Sequence, residues 1–209
     1  MTPQLILASR SPRRRQLLAH LGLPFRVVVP EVEEDVAPAS SGLAEALALA
    51  KAEAVAKNEM EGIVIAADTI VVDGDTVLGK PANAAEAAET LRRLRGREHR
   101  VITGLAVVNA GSGQRTASHV VTSVRMRDYS DAEIAAYVAR GEPLDKAGAY
   151  AVQDEQFHPA ASYDGCYCNV VGLPLKALVL LLRRAGLDIT SDSLEALPTQ
   201  CGACPIVVE

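Results

Sequence analysis

The ten residues Ile63-Val64-Ile65-Ala66-Ala67-Asp68-Thr69-Ile70-Val71-Val72 form an apolar run broken by a single acidic side chain. Its β-branched content, followed by Asp73-Gly74, predicts a buried strand that turns as a hairpin into Asp75-Thr76-Val77-Leu78. A carboxylate inside such a strand costs on the order of several kcal/mol unless a cation, hydrogen-bond donors or a proton compensates it. Any fold of this chain must therefore bring a partner to Asp68. The carboxylate is either a structural group satisfied in place or part of an assembled site. Thr69 beside it and Lys80 in the loop Gly79-Lys80-Pro81 favour the second reading.

The flanking segments alternate between strand and helix signals. Leu5 to Ala8 reads as a short buried strand; Ser11 is a good N-cap, Pro12 suits the first helical position, and Gly22 ends that helix. Phe25 to Val29 reads as a second strand, followed by the acidic stretch Glu31 to Asp35. Residues 43–58 carry Leu43, Leu47, Ala50 and Ala54 on one helical face. Lys51 lies about 80° from Leu43 at 3.6 residues per turn, on the margin of that face, where it can reach a cleft. A helix is expected from Ala84 to Leu94, then a long antiparallel pair over 98–109 and 114–127 joined by Gly111-Ser112-Gly113. Ser130 caps another helix, Gly141 to Tyr167 reads as loop with a brief strand at Tyr150-Ala151-Val152, and a last helix spans 174–184. Mixed pairings with crossover helices define the α/β (mixed α+β) class, with ligands expected where strands end.

The 209 residues suffice for a substantial core, expected as one domain over 1–187 with a polar, cysteine-containing extension over 188–209. A net charge of -5 argues against a broad nucleic-acid surface, but one small nucleotide site needs only local cations. No apolar stretch approaches the roughly 18 residues of a membrane span, and the start lacks a signal-peptide pattern. A cytoplasmic enzyme is the default. Cys166-x-Cys168 and Cys201-x-x-Cys204 together hold four thiols, which invites a zinc reading or a redox pair. The spacing of the first pair and the terminal place of the second favour incidental thiols, which a cytosol would keep reduced.

Ser9-Arg10-Ser11-Pro12-Arg13 joins a strand end to a helix N-terminus, an arrangement that suits a phosphate oxygen as well as it suits an ordinary capped helix with solvated arginines. Asp68 can bind Mg²⁺ or take a proton from water, Lys80 can offset charge on phosphate oxygens, and Glu33 and Glu34 can add metal ligands. Gly148 permits close backbone approach, and Gln153 offers both a donor and an acceptor to a base edge. The four histidines show no metal-ligand spacing, and no Ser-His-Asp or Cys-His arrangement stands out. Attack by metal-activated water is the simpler chemistry.

The ordered blocks Leu7-Ala8-Ser9-x-Ser11-Pro12-Arg13-Arg14, Leu49-Ala50-Lys51-Ala52, Ala67-Asp68-Thr69, Leu78-Gly79-Lys80-Pro81, His99-x-Val101-x-Thr103-Gly104, Asp145-Lys146-Ala147-Gly148 and Asn169-Val170-Val171-Gly172-Leu173-Pro174 resemble the Maf family of nucleoside triphosphate pyrophosphatases. The resemblance runs from Leu5 to about Leu182. It implies the fold of the inosine triphosphate pyrophosphatases: a central mixed twisted sheet, flanking helices and a cleft between two lobes. It also implies Asp68 as catalytic proton acceptor with Lys80, and Ser9, Arg13, Lys51, Thr69, Lys146 and Gln153 as substrate-binding and selectivity residues. Asp68 and Glu34 would be the ligands of a divalent Mg²⁺ or Mn²⁺.

The pattern at Arg13, Thr69 and Gln153 resembles the branch acting on dTTP and UTP rather than the one acting on 7-methyl-GTP. Modified pyrimidine triphosphates and a house-cleaning role follow from the same likeness, as does a homodimer, with neither a nucleic-acid polymer nor a membrane as partner. A nucleotide-sensing protein using the same cleft without turnover is the other class of reading, and a zinc-stabilised nucleic-acid binder rests on the cysteines alone. The chain departs from the family where Gly165-Cys166-Tyr167-Cys168 replaces the usual Gly-Ser-Tyr, in Asp154-Glu155-Gln156 after Gln153, and in the extension beyond Asp188.

Overall fold

The computed structural model describes residues 3–32, 41–189, 197–198, 201 and 204. In chain order these form β1 (Leu5–Ala8), α1 (Pro12–Ala19), β2 (Phe25–Val28), α2 (Ser41–Ala56), β3 (Ile63–Asp73), β4 (Thr76–Leu78), α3 (Ala84–Leu94), β5 (Glu98–Asn109), β6 (Arg115–Met126), α4 (Asp131–Ala139), β7 (Ala160–Asp164), α5 (Tyr167–Val171) and α6 (Leu175–Arg184). Two single-turn 3₁₀ segments, Glu142–Asp145 and Ala147–Ala149, lie between α4 and β7. The expected α/β class holds: one seven-stranded mixed sheet runs β2-β1-β3-β5-β6-β7, with β4 paired to β3.

β1 pairs in parallel with β2 on one side and β3 on the other, so the chain leaves β1 through α1 to one neighbour and returns through α2 to the other. That reversal opens a crevice beyond the carboxyl end of β1. β3 outruns β1: its residues 63–66 pair with β1 and residues 71–73 with β4, while 67–70 have a strand neighbour only on the β5 side. Asp68 sits in this gap.

Side-chain parity on β3 divides the core. Ile63, Ile65 and Ala67 pack with β1, α1, α5 and α6, whereas Val64 and Ala66 face α2. Beyond the gap, Val71 joins a second cluster built with α3 and α4, and Ile70 and Val72 pack with Ala44 of α2. At about 3.3 Å per residue the eleven-residue strand spans roughly 36 Å. It therefore reaches from one cluster to the other, with the gap between two lobes.

The local signals explain most elements. Ser11 Oγ accepts from Arg14 N and Pro12 opens α1, Asn83 Oδ1 caps α3 through Glu86 N, and Ser130 with Glu133 forms a reciprocal capping box on α4. The strand expected at Tyr150-Ala151-Val152 is absent, and the seventh strand is Ala160–Asp164 instead. The amide of Ala151 donates to the Tyr137 hydroxyl rather than to a ladder, so the apolar triplet packs as loop. β7 is an edge strand with four of its five residues exposed, which gives it no apolar alternation to read. The expectation of unpaired, incidental cysteines is also corrected, because Cys168 is disulfide-bonded to Cys201.

Gly104 stands opposite Asp68 on β5, and a Cβ there would lie 2.1 Å from the Ala44 carbonyl oxygen. Only glycine lets α2 come this close. Gly104→Ala is expected to cost about 3 kcal/mol in urea unfolding, at the upper end of overpacking penalties; a variant as stable as the parent would contradict the close contact. His99, 2% exposed, shares a 2.7 Å hydrogen bond with Tyr150. Burial lowers its imidazole from 6.5 to about 4, against a smaller upward pull from Asp73. The unfolded chain binds the extra proton first, so stability falls as pH drops from about 6.5 towards 4, by on the order of 3 kcal/mol. His99→Gln should flatten that stretch of the pH–stability curve, and an unchanged slope would assign it to another group.

Candidate active site

The gap in the sheet is the floor of a cleft of about 770 Å³, walled by the β1–α1 turn, α2, the loop after β4, the 3₁₀ region and α5. Ser9, Arg13, Lys51, Asp68, Thr69, Lys80, Lys146 and Gln153, all expected from sequence, line it together. Glu33 and Glu34 lie outside the described residues. The apolar part of the wall includes Leu43, Leu47, Ile70 and Val152. Among the described lining residues six basic side chains face two carboxylates, in a protein whose net charge is -5. Such a basic hollow in an acidic molecule draws a compact polyanion.

At the floor, Lys51 Nζ lies 2.5 Å from Asp68 Oδ1, and both residues are more than nine-tenths buried. This is the compensation the strand required. Lys51 reaches it from the margin of α2, and Gly104 sets how near α2 can lie. Asp68 Oδ2 makes no hydrogen bond among the described residues. One oxygen is therefore fixed by a cation, and the other remains to accept a proton or coordinate an ion.

On the opposite face of β3 a relay fixes Thr69. Arg14 donates through Nε to the Gly172 carbonyl at 2.8 Å and through Nη2 to Thr69 Oγ1 at 3.0 Å. Thr103 Oγ1 donates to the Asn169 carbonyl and lies 2.9 Å from Thr69 Oγ1. A carbonyl cannot donate, so the one Thr103 proton is committed and Thr69 must supply the proton between the two hydroxyls. Thr69 is left with acceptor capacity only. Asn169 is itself held by Nδ2 bonds to the Val101 carbonyl and to Thr122 Oγ1. Sequence reasoning does not single out Arg14, Thr103 and Asn169 as site residues, although all three lie in the blocks that carry the family resemblance. Their signal was spatial, since the relay joins α1, β3, β5 and α5.

The rim carries the other charges. Asp145 lies 2.6 Å from Lys146 Nζ and 3.7 Å from Arg13 Nη1, and Lys146 also bonds Glu142. Burial alone would raise the Asp145 carboxyl, but the Lys146 hydrogen bond and the charges of Lys146 and Arg13 hold it below the usual carboxylate range. Lys80 is exposed and makes no ion pair among the described residues. Ser9, 5% exposed at the end of β1, accepts from Ser11 N at 3.1 Å, which leaves its own O–H to donate. Gln153 stands exposed at the mouth.

Hard divalent cations take oxygen ligands, and Mg²⁺ commonly uses one or two carboxylates together with substrate phosphates. Asp68 Oδ2 fits as one such ligand. With Cys168 and Cys201 disulfide-bonded, no group of three or more His, Cys, Asp or Glu side chains that could hold a metal ion occurs among the described residues, so the cleft suits an ion shared with a ligand rather than an all-protein cage.

The profile of the family described as Maf-like protein matches residues 4–185. A dTTP/UTP pyrophosphatase of Thermomicrobium roseum is 48% identical over 205 residues, which cover 97% of this chain and 93% of that protein. Proteins of the same name from Desulforamulus reducens and Moorella thermoacetica are each 49% identical, over 187 and 190 residues. These alignments cover 88% and 89% of this chain and 98% and 97% of the relatives. The chain belongs to the Maf-like family.

Proposed function

We propose that this enzyme hydrolyses dTTP and UTP between the α- and β-phosphates, giving the nucleoside monophosphate and pyrophosphate. The observation that carries the reading is the buried Asp68 carboxylate, one oxygen held by Lys51, at the floor of a basic cleft. The name shared by the relatives supports the same substrates. Modified pyrimidine triphosphates present the same phosphates and a similar base to this cleft.

Asp68 Oδ2 takes the proton of the attacking water, while Lys51 orients the carboxylate through Oδ1. Lys80, Arg13 and Lys146 offset the charge that gathers on the phosphate oxygens as the P–O bond breaks, an effect strengthened by the low dielectric of the cleft. The Ser9 hydroxyl donates to a phosphate oxygen beside the N-terminus of α1. Thr69, restricted to accepting, and Gln153, able to donate and accept, meet the base and select a pyrimidine. A divalent Mg²⁺ or Mn²⁺ held by Asp68 and Glu34 would supply Lewis-acid neutralisation of the phosphates.

We assign residues 1–187 to the catalytic domain and 188–209 to an extension of it, and place the enzyme in the cytoplasm as a homodimer without nucleic-acid or membrane partners. No helix among the described residues is long and apolar enough to cross a membrane.

Product-resolved hydrolysis of dTTP, UTP, CTP, GTP, ATP and 7-methyl-GTP with Mg²⁺ or Mn²⁺ tests the proposal. Selective formation of dTMP and UMP with pyrophosphate is expected. Orthophosphate would overturn the bond assignment, turnover mainly of 7-methyl-GTP would overturn the roles of Arg13, Thr69 and Gln153, and tight binding without product would favour a nucleotide sensor. Asp68→Asn preserves volume and removes the charge. Turnover should fall by roughly 10²- to 10⁴-fold with the fold retained, the range expected for loss of a general base. Near-normal kcat in a variant with native circular dichroism would sink the role given to Asp68.

A further inference from the structure

The four cysteines of the chain come together as two pairs in one core cluster, drawn from two segments that lie far apart in sequence. Cys166 precedes α5 and Cys168 lies in its first turn, while Cys201 and Cys204 come from the C-terminal extension. Cys168 is bonded to Cys201, with their Cα atoms 6.2 Å apart across a sequence separation of 33 residues. The thiols of Cys166 and Cys204 are hydrogen-bonded to each other. None of the four is more than 3% exposed, and all sit in the apolar cluster beneath α1 and α6.

The backbone is shaped to present them in pairs. Cys204 N donates to the Cys201 carbonyl at 3.1 Å, and Asn169 N donates to the Cys166 carbonyl at 3.1 Å across the C-x-C pair. Crosslinking alone does not explain this convergence. A core of this size needs no staple. Four thiolates around one centre are what a closed tetrahedral zinc site requires, and soft sulfur ligands select zinc over Mg²⁺ or Mn²⁺. Lys176 Nζ donates to the Cys204 carbonyl at 3.0 Å, placing a cation beside a cluster that would carry two negative charges once metallated.

We propose that in the reduced protein Cys166, Cys168, Cys201 and Cys204 form a tetrathiolate site for a zinc ion that fastens the C-terminal extension to the start of α5. With Cys168 and Cys201 joined, too few thiols remain to hold a metal, so the disulfide is the oxidised, metal-free form. A thiol or dithiol reductant supplies two electrons and two protons to that bond and is itself oxidised to a disulfide. Zinc binding then displaces four thiol protons and forms four Zn–S bonds. The site is structural and separate from the divalent ion of the cleft. It bears on that cleft through α5 and the residue after it, whose Asn169 and Gly172 carbonyls accept from Thr103 and Arg14.

The test uses the full chain, purified with a phosphine reductant and no chelator, with zinc measured by elemental mass spectrometry. One zinc per chain is expected, falling to near none in Cys166→Ser, Cys201→Ser and Cys204→Ser. Exchange of Co²⁺ into the parent should give thiolate charge-transfer and tetrahedral ligand-field bands, a readout that survives if a variant fails to fold. Cys204→Ser should still hydrolyse dTTP, which separates metal loss from unfolding. Four titratable thiols that retain no added zinc, two disulfides persisting under reduction, or zinc content indifferent to all three substitutions would each overturn the proposal.

Discussion

The pair between Lys51 and Asp68 is the constraint on which the rest of the site depends. A lone carboxylate inside β3 would be neutralised or would destabilise the strand, and a lone lysine would be equally costly in α2. Each makes the other tolerable, and neither gains from the geometry without Gly104, which admits α2 to the sheet opposite Asp68. The pair is thus weak grounds for stability and strong grounds for a site. A well-packed apolar pair would hold the same helix at less desolvation cost. What it would not provide is a charged oxygen at the floor of a cleft.

The cleft itself arises from strand lengths. β1 stops at Ala8 and β4 begins its pairing at Val71, so four residues of β3 are left without a neighbour on one side. Successive residues of a strand point to opposite faces. Asp68 therefore meets Lys51 of α2, while Thr69 meets Arg14 of α1 and Thr103 of β5. A slip of one residue in the β3–β5 register would exchange the two faces and place the carboxylate in the relay. The ten-residue ladder with β5 holds that register.

Much of this was legible in the sequence, because the signals were local. Asp68 announces itself by its apolar surroundings, α3 runs over the expected 84–94, and Ser11, Ser130 and Asp73-Gly74 mark a helix start, a capping box and a hairpin where the structure has them. The helical wheel brought Lys51 to the cleft side of α2. What the sequence did not show was set by tertiary partners. β7 has no alternation because it is an exposed edge, and Tyr150 to Val152 look like a strand but the Ala151 amide donates to the Tyr137 hydroxyl instead of a ladder. The relay through Arg14, Thr103 and Asn169 joins residues up to 158 positions apart, which no periodicity records. The spacing of the cysteines favours incidental thiols over a zinc or redox site, and their pairing across α5 and the C-terminal extension is a tertiary fact that spacing does not record.

The rim follows the rule of the floor, with a different outcome. Arg13 and Lys146 repel each other, and Asp145 between them lets both stay close, as Asp68 does for Lys51. Asp145 is largely exposed, however, so its 3.7 Å pairing with Arg13 is screened by water and weak beside the buried pair, whereas Lys146 is itself buried and also bonded to Glu142. Arg13, held this loosely, can turn towards a stronger anion. A triphosphate offers several charges and a row of oxygens in place of one carboxylate, and it would meet Lys80, which has no ion pair of its own among the described residues, at the same time. The exposed Asp145 thus keeps the rim cations gathered at little cost, while the buried pair keeps its carboxylate fixed. The exposure of the Asp145 carboxylate and the burial of the Asp68 carboxylate fit the proposed division between binding at the rim and proton transfer at the floor.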